Sequence, residues 1–233
     1  QPNFVRDNTS LILGAQDADA KIIFVNDLEL GVKSRLVEVI SGRAATVVPH
    51  TIGSAPSTPP TPELAIPDAI FSGVISGGDG GQFIKGGNGT LTLSGMNTYI
   101  GGTVLAEGTL IGIENTSFGS GLVEVGTTTD TRFQESALSV SFRGTSLGND
   151  MEFGNVNHSG ISVLQTTEDA TLAGNIAIDR LVDRNVIIDT AFGKSVTYSG
   201  DISGTGAFTL IGGGTVTLDG NNSFGTGAPT GVT

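Results

Sequence analysis

Few residue types in this chain invite a chemical role, and their spacing decides how far each can be taken. There are two histidines. His50 sits in a proline-rich stretch and His158 in the turn-like NVNHSG. A Ser-His-Asp site is assembled in space, so separation in sequence does not exclude one, yet no GxSxG elbow surrounds any serine. Carboxylate pairs are the stronger candidates, because glycoside hydrolysis needs two carboxyls roughly 5–9.5 Å apart. Asp179 with Asp183, or Asp189 with Asp201 across neighbouring coils, would be such pairs. The competing reading is that these are solvated edge charges that discourage sheet-to-sheet pairing. Gly77-Gly78-Asp79-Gly80-Gly81 has the glycines of a calcium-binding nonapeptide, but its aspartate is misplaced and the unit is not tandemly repeated. Gly86-Gly87-Asn88-Gly89 lacks the Lys-Ser/Thr and the following helix of a phosphate loop. Asn97 and Asn222 occupy equivalent places in a repeat, where they would either bind sugar or, as asparagine ordinarily does, cap a turn with the amide. The sequon at Asn115-Thr116-Ser117 reads as incidental. The expectation is therefore no catalytic, cofactor-binding or metal-binding residues, no cofactor and no enzyme.

The elements that would position these residues are short strands. Apolar residues alternate with Thr, Ser or Gly in Leu91-Thr92-Leu93 and Val216-Thr217-Leu218, so one face should pack inward and the other meet water. That predicts Leu91, Leu93, Leu110, Val216 and Leu218 inside, and Thr92 and Thr217 outside. A strand buried on both faces would argue for a two-sided sandwich. Strands are expected at Ala69 to Ile75, Thr90 to Leu93, Thr103 to Leu105, Thr109 to Ile113, Leu122 to Val125 and Leu138 to Phe142. Others are expected at Ile161 to Leu164, Thr171 to Ile178, Val186 to Ile188, Val196 to Ile202, Phe208 to Ile211 and Thr215 to Leu218. Asp17 to Ile40 is the one stretch with room for a helix, but Ile22-Ile23-Phe24-Val25 favours a buried strand.

Repetition is the strongest signal. FSGVISG (71–77) returns as YSGDISG (198–204), identical at five of seven positions. GTLTLSGMNTY (89–99) returns as GTVTLDGNNSF (214–224), identical at six of eleven. A weaker relative, TLAGNIAI, runs over 171–178. Gly89-Thr90-Leu91 recurs as Gly108-Thr109-Leu110, nineteen residues on, the length of one solenoid coil. A single coil cannot bury its apolar face, whereas stacked coils share a continuous core. The expected fold is all-β, a right-handed parallel β-helix with coils of about 20 residues. Residues 1–233 would form one β-helix segment. Residues 41–68 hold six of the eight prolines and cannot be a central strand. They are expected to be a loop inserted in that segment, either a plain insertion or a binding loop held out by the scaffold.

Composition narrows the function. Glycine makes up 36 of 233 residues, about twice the usual share, which suits tight turns. The net charge of −12 repels nucleic acid and anionic membranes. With no cysteine there is no disulfide and no thiolate site, which is compatible with the cytoplasm and equally suits a chain exported unfolded. No apolar run reaches the ~18 residues of a membrane helix. A start at Gln1 and an end inside a repeat suggest a piece of a longer chain.

Residues 71–112 resemble the autotransporter-associated β-strand repeat, through Lys85, Gly86, Gly89, Thr90, Leu91, Leu93, Gly95, Asn97, Thr98, Tyr99, Gly101, Gly102, Thr103, Gly108, Thr109 and Leu110. The second copy departs from the pattern after Phe224. The resemblance implies a Gram-negative type V passenger that folds outside the cell, with any membrane attachment through a separate C-terminal barrel. The implied function is a non-catalytic scaffold or adhesin, extracellular or on the bacterial surface, with host or neighbouring-cell surface molecules, or copies of itself, as partners. A self-assembling extracellular fibre or surface-layer component and a polysaccharide-degrading β-helix are the alternatives.

Overall fold

A computed structural model describes residues 10–15, 21–41, 68–77, 80–126, 137–154, 161–178, 185–206 and 208–224. The proline-rich stretch 41–68 therefore lies outside the described residues, apart from its two ends, Ser41 and Asp68. Every regular element among the described residues is a strand of two to six residues, and every strand pair is parallel. The expected β-solenoid is what forms.

Three walls make it. Wall one is an eight-stranded sheet running from Ile22–Phe24 to Phe208–Gly212. Wall three is a nine-stranded sheet running from Leu11–Leu13 to Ser223–Phe224. Between them in chain order come a two-stranded piece, Leu28–Glu29 with Ile75–Ser76, and a four-stranded piece, Ser146–Leu147 to Thr215–Leu218. These pieces form wall two, which has no strand in the intervening stretches 94–102 and 113–122.

Short strands follow from the corners. Ala69 to Ile75, read above as one strand, breaks into Ala69–Phe71 on wall one and Ile75–Ser76 on wall two. The stretches 171–178 and 196–202 divide in the same way, each into one strand of wall two and one of wall three. The sequence reading missed Phe83–Gly86 and Met151–Phe153. In Asp17 to Ile40 the described residues give Ile22–Phe24, Leu28–Glu29 and Arg35–Val39. The first is not buried as expected. Ile23 and Val25 are 58% and 68% exposed, because alternation turns them away from Ile22 and Phe24, which pack on the core.

Coil length is uneven. Thr109 stacks on Thr90 and Leu110 on Leu91, so the nineteen-residue period is a true register. The next step, Thr109 to Ser139, takes 30 residues, and Ser139 to Val163 takes 24.

Leu91, Leu93 and Leu110 are fully buried. Val216 and Leu218 pack against the core but are only half-buried, and Thr217 is exposed as expected. Thr92 is the exception. Its neighbours in sequence, Leu91 and Leu93, belong to the core, so alternation points Thr92 outward, yet it is 3% exposed. Its partners in the ladder, Ile111 and then Ser141, are also buried. The outer face of wall one is itself covered over these coils. Burial on both faces here coexists with parallel solenoid pairing, so the sandwich does not follow.

Candidate functional site

The polar residues of the repeat turn inward, and the corners explain why. Lys85 is completely buried, stacked between Val37 and Leu105 in the wall-three ladder. Alternation with Ile84 forces it to the same side as Phe83, which lies in the core. A buried ammonium must have its donors used. Nζ donates to the carbonyls of Gly86 (2.9 Å), Gly87 and Glu107 (2.8 Å). The first two belong to its own corner and the third to the next coil. Gly87 turns that corner at φ 73°, and a Cβ there would lie 2.5 Å from the Val39 carbonyl oxygen. Both observations require glycine.

Asn97 serves the strandless part of wall two. Its Oδ1 accepts the Ile75 backbone N–H (2.7 Å), and its Nδ2 donates to the Ser117 carbonyl (2.6 Å). One side chain thus joins three successive coils. Ser117 closes the turn above it: its Oγ accepts from Ile113 N and Glu114 N and donates to the Leu93 carbonyl (2.9 Å). Thr103 Oγ1 donates to the Phe118 carbonyl (3.0 Å). Its one proton is thereby used, so the Tyr99 hydroxyl donates to it. Burial pushes the Tyr99 hydroxyl well above the usual tyrosine range, against a smaller opposing effect of its bond to Thr103. The ring packs 6.1 Å from that of Phe83. Asn222 accepts from Ile202 N (2.8 Å) and donates to the Gly220 carbonyl (3.0 Å). Phe224 is half-buried and stacks 4.6 Å from Phe208. Asn97 and Asn222 are therefore caps, as their residue type suggested, and Tyr99 and Phe224 fill the interior.

Of the histidine and carboxylate candidates, only Asp189 and Asp201 lie among the described residues. His50, His158, Asp79, Asp179 and Asp183 lie outside the described residues. Asp189 is on the outer face of wall one, where Gln165 Nε2 donates to it (3.1 Å) and Ser141 Oγ donates to Gln165 (3.2 Å). Asp201 is at the corner between walls two and three, accepting from Asn221 N (2.7 Å). The register pairs Asp189 with Gln165 and Ile211, and Asp201 follows further along the same coil, so neighbouring coils do not set the two side by side. The Asn115 amide oxygen accepts from Thr145 N and Ser146 N (both 3.1 Å). The 86–89 loop is a corner leading into the strand Thr90–Leu93. Among the described residues no group of three or more His, Asp or Glu could hold a metal ion.

One carboxylate pair escaped the sequence reading. Glu124 and Glu152 are register neighbours on the outer face of wall three, one strand spacing apart, about 4.8 Å. Gln82 Nε2 donates to Glu124 (2.8 Å). The alternation Val123-Glu124-Val125 and Met151-Glu152-Phe153 could have placed both outward, but only the register sets them side by side.

A family model for the passenger-associated-transport-repeat matches residues 83–111, the stretch that carries Lys85, Asn97, Tyr99 and Thr103. No curated protein and no solved structure matches the chain. The kinship with autotransporter passenger repeats expected from 71–112 is borne out over those residues.

Proposed function

We propose that this chain is part of an autotransporter passenger, a non-catalytic scaffold or adhesin on the bacterial surface or released from it. The observation that carries the reading is the fate of the repeat's polar residues. Lys85, Asn97, Tyr99 and Thr103 are buried and spend their donors and acceptors on carbonyls, amides and hydroxyls of this chain, largely from coil to coil. A repeat whose signature residues hold coils together supports a role in shape and reach. In this reading residues 1–233 are one β-helix segment, with 41–68 inserted in it. Its partners are surface molecules of a host or neighbouring cell, or further copies of the chain, and its acidic surface keeps nucleic acid away.

Two experiments test this. Antibody against the chain should label intact cells of the bacterium that makes it, or detect it in the medium; labelling confined to permeabilised cells refutes the location. Incubation with acidic and neutral polysaccharides should release no new chain ends. Turnover that is abolished by Asp189→Asn or Asp179→Asn would establish an enzyme instead.

A further inference from the structure

The two copies of the repeat do not occupy the same wall. Phe71 ends a strand of wall one, whereas Tyr198 ends a strand of wall two. From the first copy to the second the chain runs five coils and one wall further. A repeat that encoded whole coils would return to its starting wall.

The bonding at the two places is nonetheless the same. Ser72 N donates to the Phe24 carbonyl and Ser199 N to the Leu172 carbonyl, both at 2.9 Å. Val74 N donates to Asp27 Oδ1 (2.8 Å) as Asp201 N does to Asn175 Oδ1 (3.0 Å). Leu28 N donates to the Val74 carbonyl (3.0 Å) as Ile176 N does to that of Asp201 (2.8 Å). One coil on, Ser94 N donates to the Phe71 carbonyl (2.9 Å) as Asp219 N does to that of Tyr198 (2.8 Å). Asn97 caps Ile75 N and Asn222 caps Ile202 N. A Cβ on Gly95 would lie 2.3 Å from the Gly73 carbonyl oxygen, and one on Gly220 would lie 2.2 Å from that of Gly200. Three successive coils therefore share one bonding scheme at two different corners.

We infer that the repeat encodes a corner and not a coil. SGxISG is the accepting half, GTxTLxGxNx(Y/F) is the docking half, and the asparagine is the positioning residue that locks one to the other. The asparagine follows the corner at a place that holds Ile75 or Ile202 one coil earlier, and its amide oxygen takes the N–H of that isoleucine. Nothing in the scheme refers to a particular wall. It serves the corners into wall two and out of wall two. Glycines at positive φ turn the corner from wall three to wall one at Gly14, Gly87, Gly126 and Gly204, and also the corner from wall one to wall two at Gly193 and Gly212. The inference does not depend on where the protein is exported.

The test is native-state amide exchange on the whole chain. Asn222→Ala should speed exchange at the Ile202 amide about tenfold, the loss of roughly one hydrogen bond, and leave Ile75 unchanged. Asn97→Ala should do the reverse. Reciprocal exchange of the blocks 89–99 and 214–224 should leave both amides protected. If Asn97→Ala does not fold, Asn222→Ala and the block exchange carry the test. The inference is overturned if Asn222→Ala leaves Ile202 protected, or if the block exchange exposes either isoleucine amide.

Discussion

Thr92→Val should stabilise this protein, against the usual direction of core substitutions. Thr92 is 3% exposed and its Oγ1 has no hydrogen-bond partner. Its partners across the ladder are Ile70 and Ile111, neither of which can accept a proton through its side chain. A buried hydroxyl left unpaired costs about 1–3 kcal/mol. Valine has nearly the same size and branching, so it removes that cost without opening a cavity, and it suits a strand at least as well. The expected gain is about 1–2 kcal/mol, or roughly 2–4 °C in melting temperature per kcal/mol for a chain of this length. The assay is the denaturant midpoint of parent and variant at equal slope. Thr217→Val, at the exposed equivalent position, is the control and should stay within about 0.5 kcal/mol. A Thr92→Val midpoint equal to or below the parent's would refute the reasoning, because the hydroxyl would then have a partner. The same burial reverses the expectation for Thr92→Asp. Read from alternation alone that change is harmless, whereas the structure predicts a loss of several kcal/mol.

Leu93→Asp, on the inward face of the same strand, should also cost several kcal/mol, seen as a large drop in denaturant midpoint. Gly95→Ala should destabilise by roughly 1–3 kcal/mol, since its Cβ would meet a backbone carbonyl oxygen at 2.3 Å in a packed corner. Gly148→Ala, with nothing within 4 Å and no positive φ, should be neutral or gain about 0.4–1 kcal/mol; equal effects at the two glycines would undo the argument. The chain has two tyrosines, and burial raises the pKa of both Tyr99 and Tyr198. The stability this represents is fully present below the ordinary value of about 10 and is lost as pH climbs from there toward the raised values. Melting temperature should fall steeply above about pH 10, and Tyr99→Phe with Tyr198→Phe should flatten that fall.

Much of the fold was legible because the solenoid places like residues above like. The triplet at Gly89 and Gly108 stacks in the register that its spacing announces, and the leucines of Leu91-Thr92-Leu93 face inward. The site was less legible, for three physical reasons. A lysine reads as a surface charge, and only the three carbonyls gathered around Nζ make Lys85 a core residue. A spacing between similar segments measures chain length and not wall, so the displacement of the second copy could not be seen. Alternation reports which side a residue faces and says nothing of what lies over that side, which is why Thr92 was misjudged.

The uneven coils also bear on how this molecule would yield to a pull along its chain. Unpeeling a coil shortens the stack by only one strand spacing, about 4.8 Å. The 19-residue step from Thr90 to Thr109 would release roughly 60–70 Å of extended chain, and the 30-residue step to Ser139 roughly 100–110 Å. A force–extension trace should therefore show rips of unequal length whose order spells out the coil sequence. A chain drawn through a narrow pore from one end would meet those steps in the same order, with Lys85 and Asn97 among the latches.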